Sequence, residues 1–165
     1  MVKPYKIPES VLVVIYSDAL DVLLMERAGN PGFWQSVTGS RASPEESLLE
    51  TAIREVGEET GIRVIPPDDG QANSGNEVSV DHLHDWRMTN RYEIYPAWRY
   101  RYAPGVTMNT EHVFALRVPG DIPVRLEPRE HLRHIWLPYQ EAATRCFSTS
   151  NAAAILQLPE RVRAV

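Results

Sequence analysis

An α/β sandwich, in which helices cover a mixed sheet, is the fold class this chain predicts. Short apolar runs bounded by turn residues recur along most of its 165 residues, and one strongly patterned helix interrupts them between residues 44 and 60. Helical pieces close the chain after residue 139. Hydrophobic residues make up 43% and charged residues 24%, ordinary for a soluble globular protein, and the length suits one domain over residues 1–165.

Residues 3–9 hold two prolines and should be extended, leading into a strand over 10–16. Val11, Leu12, Val13, Val14 and Ile15 are apolar at every position, as in a central strand covered on both faces. Residues 17–21 read as a turn and 22–26 as the returning strand; Gly29, Asn30, Pro31 and Gly32 supply a loop, and 33–38 a short strand. The helix start carries Ser43 as cap, Pro44 at the first helical position and Glu46 three residues after the cap, with Gly61 as the stop. After a short strand over 63–65, residues 66–76 are polar and rich in breakers, a candidate mobile loop within a longer insertion over 66–91. Strands are expected again over 92–95, 98–102, 112–118 and 134–137, and helices over 139–146 and from residue 150, with Ser150 as its cap.

Within the helix two kinds of side chain separate. Leu48, Leu49, Ala52, Ile53 and Val56 form an apolar stripe, while Glu55, Glu58 and Glu59 sit at i, i+3 and i+4 and crowd their carboxylates together. An acidic helix patch is most often just a solvated face. Arg54 can offset only part of this charge, and the natural remaining partner is a hard divalent cation with oxygen ligands, such as Mg²⁺.

The spacing around the patch is specific. Glu46, seven residues, Arg54-Glu55-Val56, one residue, Glu58-Glu59, one residue and Gly61-Ile62 resemble the signature of the Nudix hydrolases. One departure stands out: six residues rather than five separate Gly39 from Glu46, unless Ser40 takes the glycine position. The resemblance implies a Nudix-type α/β/α sandwich with a mixed sheet, and Mg²⁺-dependent hydrolysis (Mn²⁺ as a substitute) of a phosphoanhydride. By motif position Glu55 and Glu59 are expected as metal ligands, and Glu58 as a ligand or as the group positioning the attacking water. Arg54 is expected to orient the carboxylates, so that Arg54, Glu58 and Glu59 form the catalytic set. Gly39 is expected to lend a backbone carbonyl.

Segments 33–40, 92–95, 101–107, 109–111 and 130–132 resemble one branch of that family, which removes pyrophosphate from a pterin triphosphate of folate synthesis. That resemblance implies that Lys6, Arg27 and Thr38 meet the substrate, that Tyr92, Glu93, Ile94 and Tyr95 line the site, and that Ser148 touches the ligand. It makes Glu130 a further metal ligand, with Glu111 the alternative. The aromatic pair Tyr92 and Tyr95 offers a flat stacking face for a pterin ring. A purine nucleoside triphosphate such as dATP is the competing substrate, and a non-catalytic binding module the competing role. The intact trio Glu55, Glu58 and Glu59 speaks against the latter.

The other features exclude more than they assign. A net charge of −5 argues against a nucleic-acid backbone as partner. Cys146 stands alone, which excludes an internal disulfide framework and fits a reducing cytoplasm. No apolar run approaches the roughly 20 residues of a membrane span, and residues 11–16 are too short for a signal peptide. His82, His84, His131 and His134 form no zinc spacing.

Overall fold

The computed structural model describes residues 3–67 and 75–164. In chain order the first half comprises β1 (Glu9–Tyr16), β2 (Asp21–Arg27), β3 (Trp34–Gln35), β4 (Val37–Ser40), α1 (Leu48–Thr60), β5 (Arg63–Ile65) and β6 (Glu77–Ser79). The second half comprises β7 (Leu83–Glu93), β8 (Met108–Arg117), β9 (His131–Pro138), α2 (Tyr139–Arg145), α3 (Thr149–Leu156) and α4 (Leu158–Arg163).

β1 is the axis of a mixed sheet. It runs parallel to β8 from Glu9↔Thr110 to Tyr16↔Arg117, and β8 in turn pairs antiparallel with β7. Along its other edge β1 changes partner. Ser10 to Val13 pair with β4, whereas β2 meets it only at Tyr16↔Val22. β2 then leaves to pair with β3 and, on its far edge, with β9. The sheet therefore divides where β4 and β2 part.

Alternation along β1 assigns the two faces. Val11, Val13 and Ile15 pack with Val56 and Ile62 from α1 and its stop, together with Phe114 and Leu116. Leu12, Val14 and Tyr16 pack with Ala142, Ala154, Ile155 and Leu158 from the C-terminal helices. Helices thus cover both faces, the α/β/α sandwich expected. Each fully buried Leu, Ile or Phe here contributes about 1.5–3 kcal/mol.

Several boundaries differ from expectation. The cap of α1 is Ser47, whose side chain accepts from the Glu50 amide, so the helix begins at Leu48 rather than Pro44. The earlier Ser-Pro-Glu signal is spent on a turn, because Glu46 is drawn elsewhere: its carboxylate accepts from the Ala42 amide, the Thr51 hydroxyl and Arg54. Gly61 ends the helix as expected, at φ 75°, returning its N–H to the Gly57 carbonyl.

The strand expected over 33–38 is two, split at Ser36, which instead bonds to Asn151. Residues 98–102 form no strand; Pro96–Arg101 is a 3-10 helix, nucleated by Pro96 at its first position. The polar stretch before residue 92 conceals an eleven-residue strand, β7, whose outward side chains break the apolar signal. Of the loop expected over 66–76, residues 68–74 lie outside those described. Ser148, not Ser150, caps α3, and the helix expected from residue 150 onward is two, α3 and α4, parted at Gln157. Cys146 ends α2, where burial pushes its thiol up to about 12, as befits a packed rather than reactive side chain. Among the described residues no helix is long and apolar enough to cross a membrane.

Candidate active site

The site begins where α1 crosses β4. A Cβ placed on Gly39 would overlap the carboxyl group of Glu55. Gly39 is not among the glycines of positive φ, so it serves space rather than backbone conformation. The glycine of the pattern is thus Gly39 and not Ser40: the extra residue before Glu46 is absorbed in the turn, and β4 keeps its approach to the helix.

One guanidinium organises the acidic face. Arg54 donates from Nε to Glu46 at 2.8 Å and from Nη1 to Glu55 at 2.8 Å, lies 3.3 Å from Glu58, and reaches the Ser40 carbonyl from Nη2 at 2.9 Å. A planar fork suits this division of donors in a way an ammonium does not. The Arg54 hydrogen bonds hold the Glu46 carboxyl down at about 2. Burial raises Glu55, against the pull of Arg54.

Glu59 lies deeper, only 2% exposed. It accepts the Thr38 amide at 3.2 Å. Burial, then the charges of Glu55 and Glu130, drive its carboxyl well above the usual range. One ligand atom each from Glu59, Glu130 and His131 falls within 4.8 Å of the others. His131 Nε2 is 3.6 Å from Glu59, but burial and then Arg27 push the imidazole down to about 4, so the two form a close contact and not an ion pair. Its buried Nδ1 has no partner. Carboxylates that repel one another beside a neutral imidazole make a donor set that a hard divalent cation fits. Glu58 is turned outward, its side chain 55% exposed beside Arg54, outside that inner group.

Three cations, Lys6, Arg27 and Arg101, gather near Glu55. Burial, then Arg101, lowers the Lys6 ammonium, with Arg27 adding to the effect and Glu55 opposing it. Arg27 and Arg101 both lie against the Trp98 ring, at 5.4 and 5.9 Å from its centroid. Thr38 enters through its backbone.

The remaining expected residues gather elsewhere. Tyr92 lies near the end of β7, its hydroxyl bonded by Asn109; Glu93 ends the strand and faces Arg99 at 4.0 Å; Ile94 is buried, its amide held by Thr107; Tyr95 is exposed and tilted on Trp98. Ser148, at the start of α3, sits 2.9 Å from the Ser150 hydroxyl. Glu111 shares the sheet face of Val113 and Ala115 and is bonded by Ser150, so it belongs to the α3 side, away from Glu59. Two residues of the site were missed from sequence, His131 and Arg101. Neither carries a spacing signal, although each lies within a segment, 101–107 or 130–132, that carries the resemblance.

A family model described as the NUDIX domain matches residues 6–158. The dihydroneopterin triphosphate diphosphatase of Escherichia coli K12 is 41% identical over 156 residues, which cover 94% of each chain. The protein of that name from Haemophilus influenzae is 39% identical over 153 residues, 92% of this chain and 87% of the relative. Among solved structures, the E. coli dihydroneopterin triphosphate pyrophosphohydrolase superposes with a TM-score of 0.75 at 39% identity, over 94% of this chain and 97% of its own. A C. elegans Ap4A hydrolase shares the fold, with a TM-score of 0.64 at 16% identity over 95% and 98% of the two chains.

Proposed function

This chain belongs to the Nudix hydrolase family, and on that premise we propose that it removes pyrophosphate from dihydroneopterin triphosphate to leave the monophosphate. The observation that carries the substrate is the 41% identity to an enzyme of that name along 94% of both chains. The family works with a divalent metal; here the reading is Mg²⁺, with Mn²⁺ able to replace it, held by Glu55, Glu59 and Glu130. His131 stands beside them. When bound, the ion neutralises phosphate charge and lowers the pKa of water.

The protein's own groups do the rest. Lys6 and Arg27 hold the phosphate chain, and the Thr38 amide keeps Glu59 in place. Arg54 fixes Glu55 and leaves Glu58 at the rim, where its carboxylate takes the proton of the attacking water. Oxygen adds at phosphorus, the α–β P–O bond breaks, and pyrophosphate departs with the bonding electrons. Tyr92 to Tyr95 and Ser148 form the far end of the site, where the ring rests. The enzyme works in the cytoplasm as a single domain, on a small molecule rather than on nucleic acid.

The test is pyrophosphate release from dihydroneopterin triphosphate, dGTP and dATP, with and without Mg²⁺. The expected result is Mg²⁺-dependent release with the highest kcat/KM on the pterin. No release from the pterin compound, alongside good turnover of dATP, would remove the substrate assignment and leave the family chemistry standing.

A further inference from the structure

Two stretches of backbone bring cations to the edge of the carboxylate group. Arg27 stands opposite His131 in the β2–β9 ladder, and the next amide, on Ala28, donates to the Glu130 carbonyl at 2.8 Å. Arg27 is thereby tied to the residues that would hold the metal. The Lys6 amide donates to the Arg101 carbonyl at 2.8 Å, which sets those two residues side by side. The Trp98 ring joins the two pieces. The guanidinium carbon of Arg27 lies 5.4 Å from its centroid and that of Arg101 5.9 Å.

Among the described residues none of the three cations meets a carboxylate at ion-pair distance, as Arg41, Arg54 and Arg133 do. They rest on rings instead. Lys6 lies 5.9 Å from the Tyr102 centroid, and Arg101 lies 5.7 Å from that of Tyr100 as well. A ring face attracts a cation but carries no net charge, so the mutual repulsion within the cluster is not cancelled. Burial and then Arg101 disfavour the charged form of Lys6. Like charges drawn together onto one tryptophan, beside a metal-ligand group, suit an anion that carries several charges along a chain.

We propose that Arg101 is a third phosphate-binding residue beside Lys6 and Arg27, holding the pyrophosphate that leaves, and that Trp98 positions both arginines for it. The proposal rests on the pyrophosphate-release reading above and is indifferent to the ring of the substrate. A guanidinium fork matches two phosphate oxygens at once, and a guanidinium laid on an aromatic face keeps that fork in a fixed plane. The triphosphate and the leaving pyrophosphate carry more negative charge than the monophosphate product. Three cations therefore favour the phosphate chain over that product.

The experiment uses wild type, Arg101→Gln, Trp98→Ala and Trp98→Phe, with a melting curve for each. It measures the affinity for inorganic pyrophosphate by calorimetry in excess Mg²⁺, and kcat and KM on dihydroneopterin triphosphate. Arg101→Gln should weaken pyrophosphate binding and raise KM by about tenfold or more, with kcat changed by less than about threefold. Trp98→Ala should move the same two constants in the same direction by about three- to tenfold, and Trp98→Phe, which keeps a ring face, should recover most of that loss. Wild type that does not bind pyrophosphate, or Arg101→Gln that binds it as wild type does, would overturn the assignment. Trp98→Phe no better than Trp98→Ala, or a kcat that falls together with the melting temperature, would reduce Trp98 to a packing residue. Wild type that binds pyrophosphate yet leaves the pterin compound untouched would instead sink the substrate reading and leave the cation cluster standing.

Discussion

Replacing Gly39 by Ala tests whether the site depends on the close approach of β4 to α1. The added Cβ would fall inside the Glu55 carboxyl group, which must retreat by about 1 Å or more before ordinary contact is restored. The carboxyl has little freedom to do so, because Arg54 holds it from one side at 2.8 Å. A displacement of that size at a reacting centre costs about 100-fold in rate, roughly 2.7 kcal/mol of barrier. The fold should notice far less. Gly39 has no positive φ, so alanine gains about 0.4–1 kcal/mol by restricting the unfolded chain, while loosening the Arg54–Glu55 pair gives back up to about 1 kcal/mol. The two nearly cancel, and the melting temperature should move by no more than about 4 °C. Pyrophosphate release under saturating Mg²⁺ and thermal unfolding by circular dichroism read the two quantities separately. A variant with wild-type kcat would show that Glu55 need not stand where β4 and α1 put it. One that unfolds would show that Gly39 is a folding residue instead.

Other substitutions separate charge from packing. Glu59→Gln keeps the shape of a buried side chain whose charge is raised in energy by burial and by Glu55 and Glu130; metal-free protein should melt no lower than wild type, turnover should fall by about 10²–10³-fold, and Mg²⁺ should no longer raise the melting temperature. Unchanged turnover would remove Glu59 from the metal site. Glu46 is held at about 2 against 4.5 when unfolded, so its contribution, at most about 3 kcal/mol, is present above pH 4.5 and fades as pH falls toward 2. The stability gap between wild type and Glu46→Gln, from urea unfolding, should therefore shrink over that window; a gap independent of pH would refute the Arg54 linkage. Asn151→Ala removes both bonds with Ser36, the one its Oδ1 accepts from the Ser36 amide at 2.8 Å and the one its Nδ2 donates to the Ser36 hydroxyl at 2.9 Å, and should cost about 2–3 kcal/mol; a loss under 0.5 kcal/mol would mean that water replaces them.

What was legible in the sequence follows from how local each signal is. β1 announces itself through five consecutive apolar residues because both faces are covered. The acidic helix does so because its charges share one face at fixed spacing. The start of α1 misled because two serines compete for the cap, and the outcome depends on where Arg54 draws Glu46, a contact eight residues away. Pro96–Arg101 misled because aromatic residues raise strand propensity whether or not a partner strand is at hand. Gly39 is named by the pattern that also holds Glu55, but the space it must leave for that carboxyl shows only in the fold. His131 and Glu111 acquire their meaning only across the fold, where they meet Glu59 and Ser150. No pattern in the sequence contains those two pairs.

The divided sheet also sets the order in which this site comes into being. β1 cannot complete its parallel pairing until β8, some hundred residues later, has been made, and β2 waits still longer for β9. Glu130 and His131 lie at the threshold of β9, so the ligand set closes only with the most distant pairings of the chain. Such non-local closure belongs late on the folding route and makes refolding slow. Mg²⁺ added during refolding should therefore leave the folding rate alone and lower the unfolding rate, because the ion meets its ligands only on the native side of the barrier.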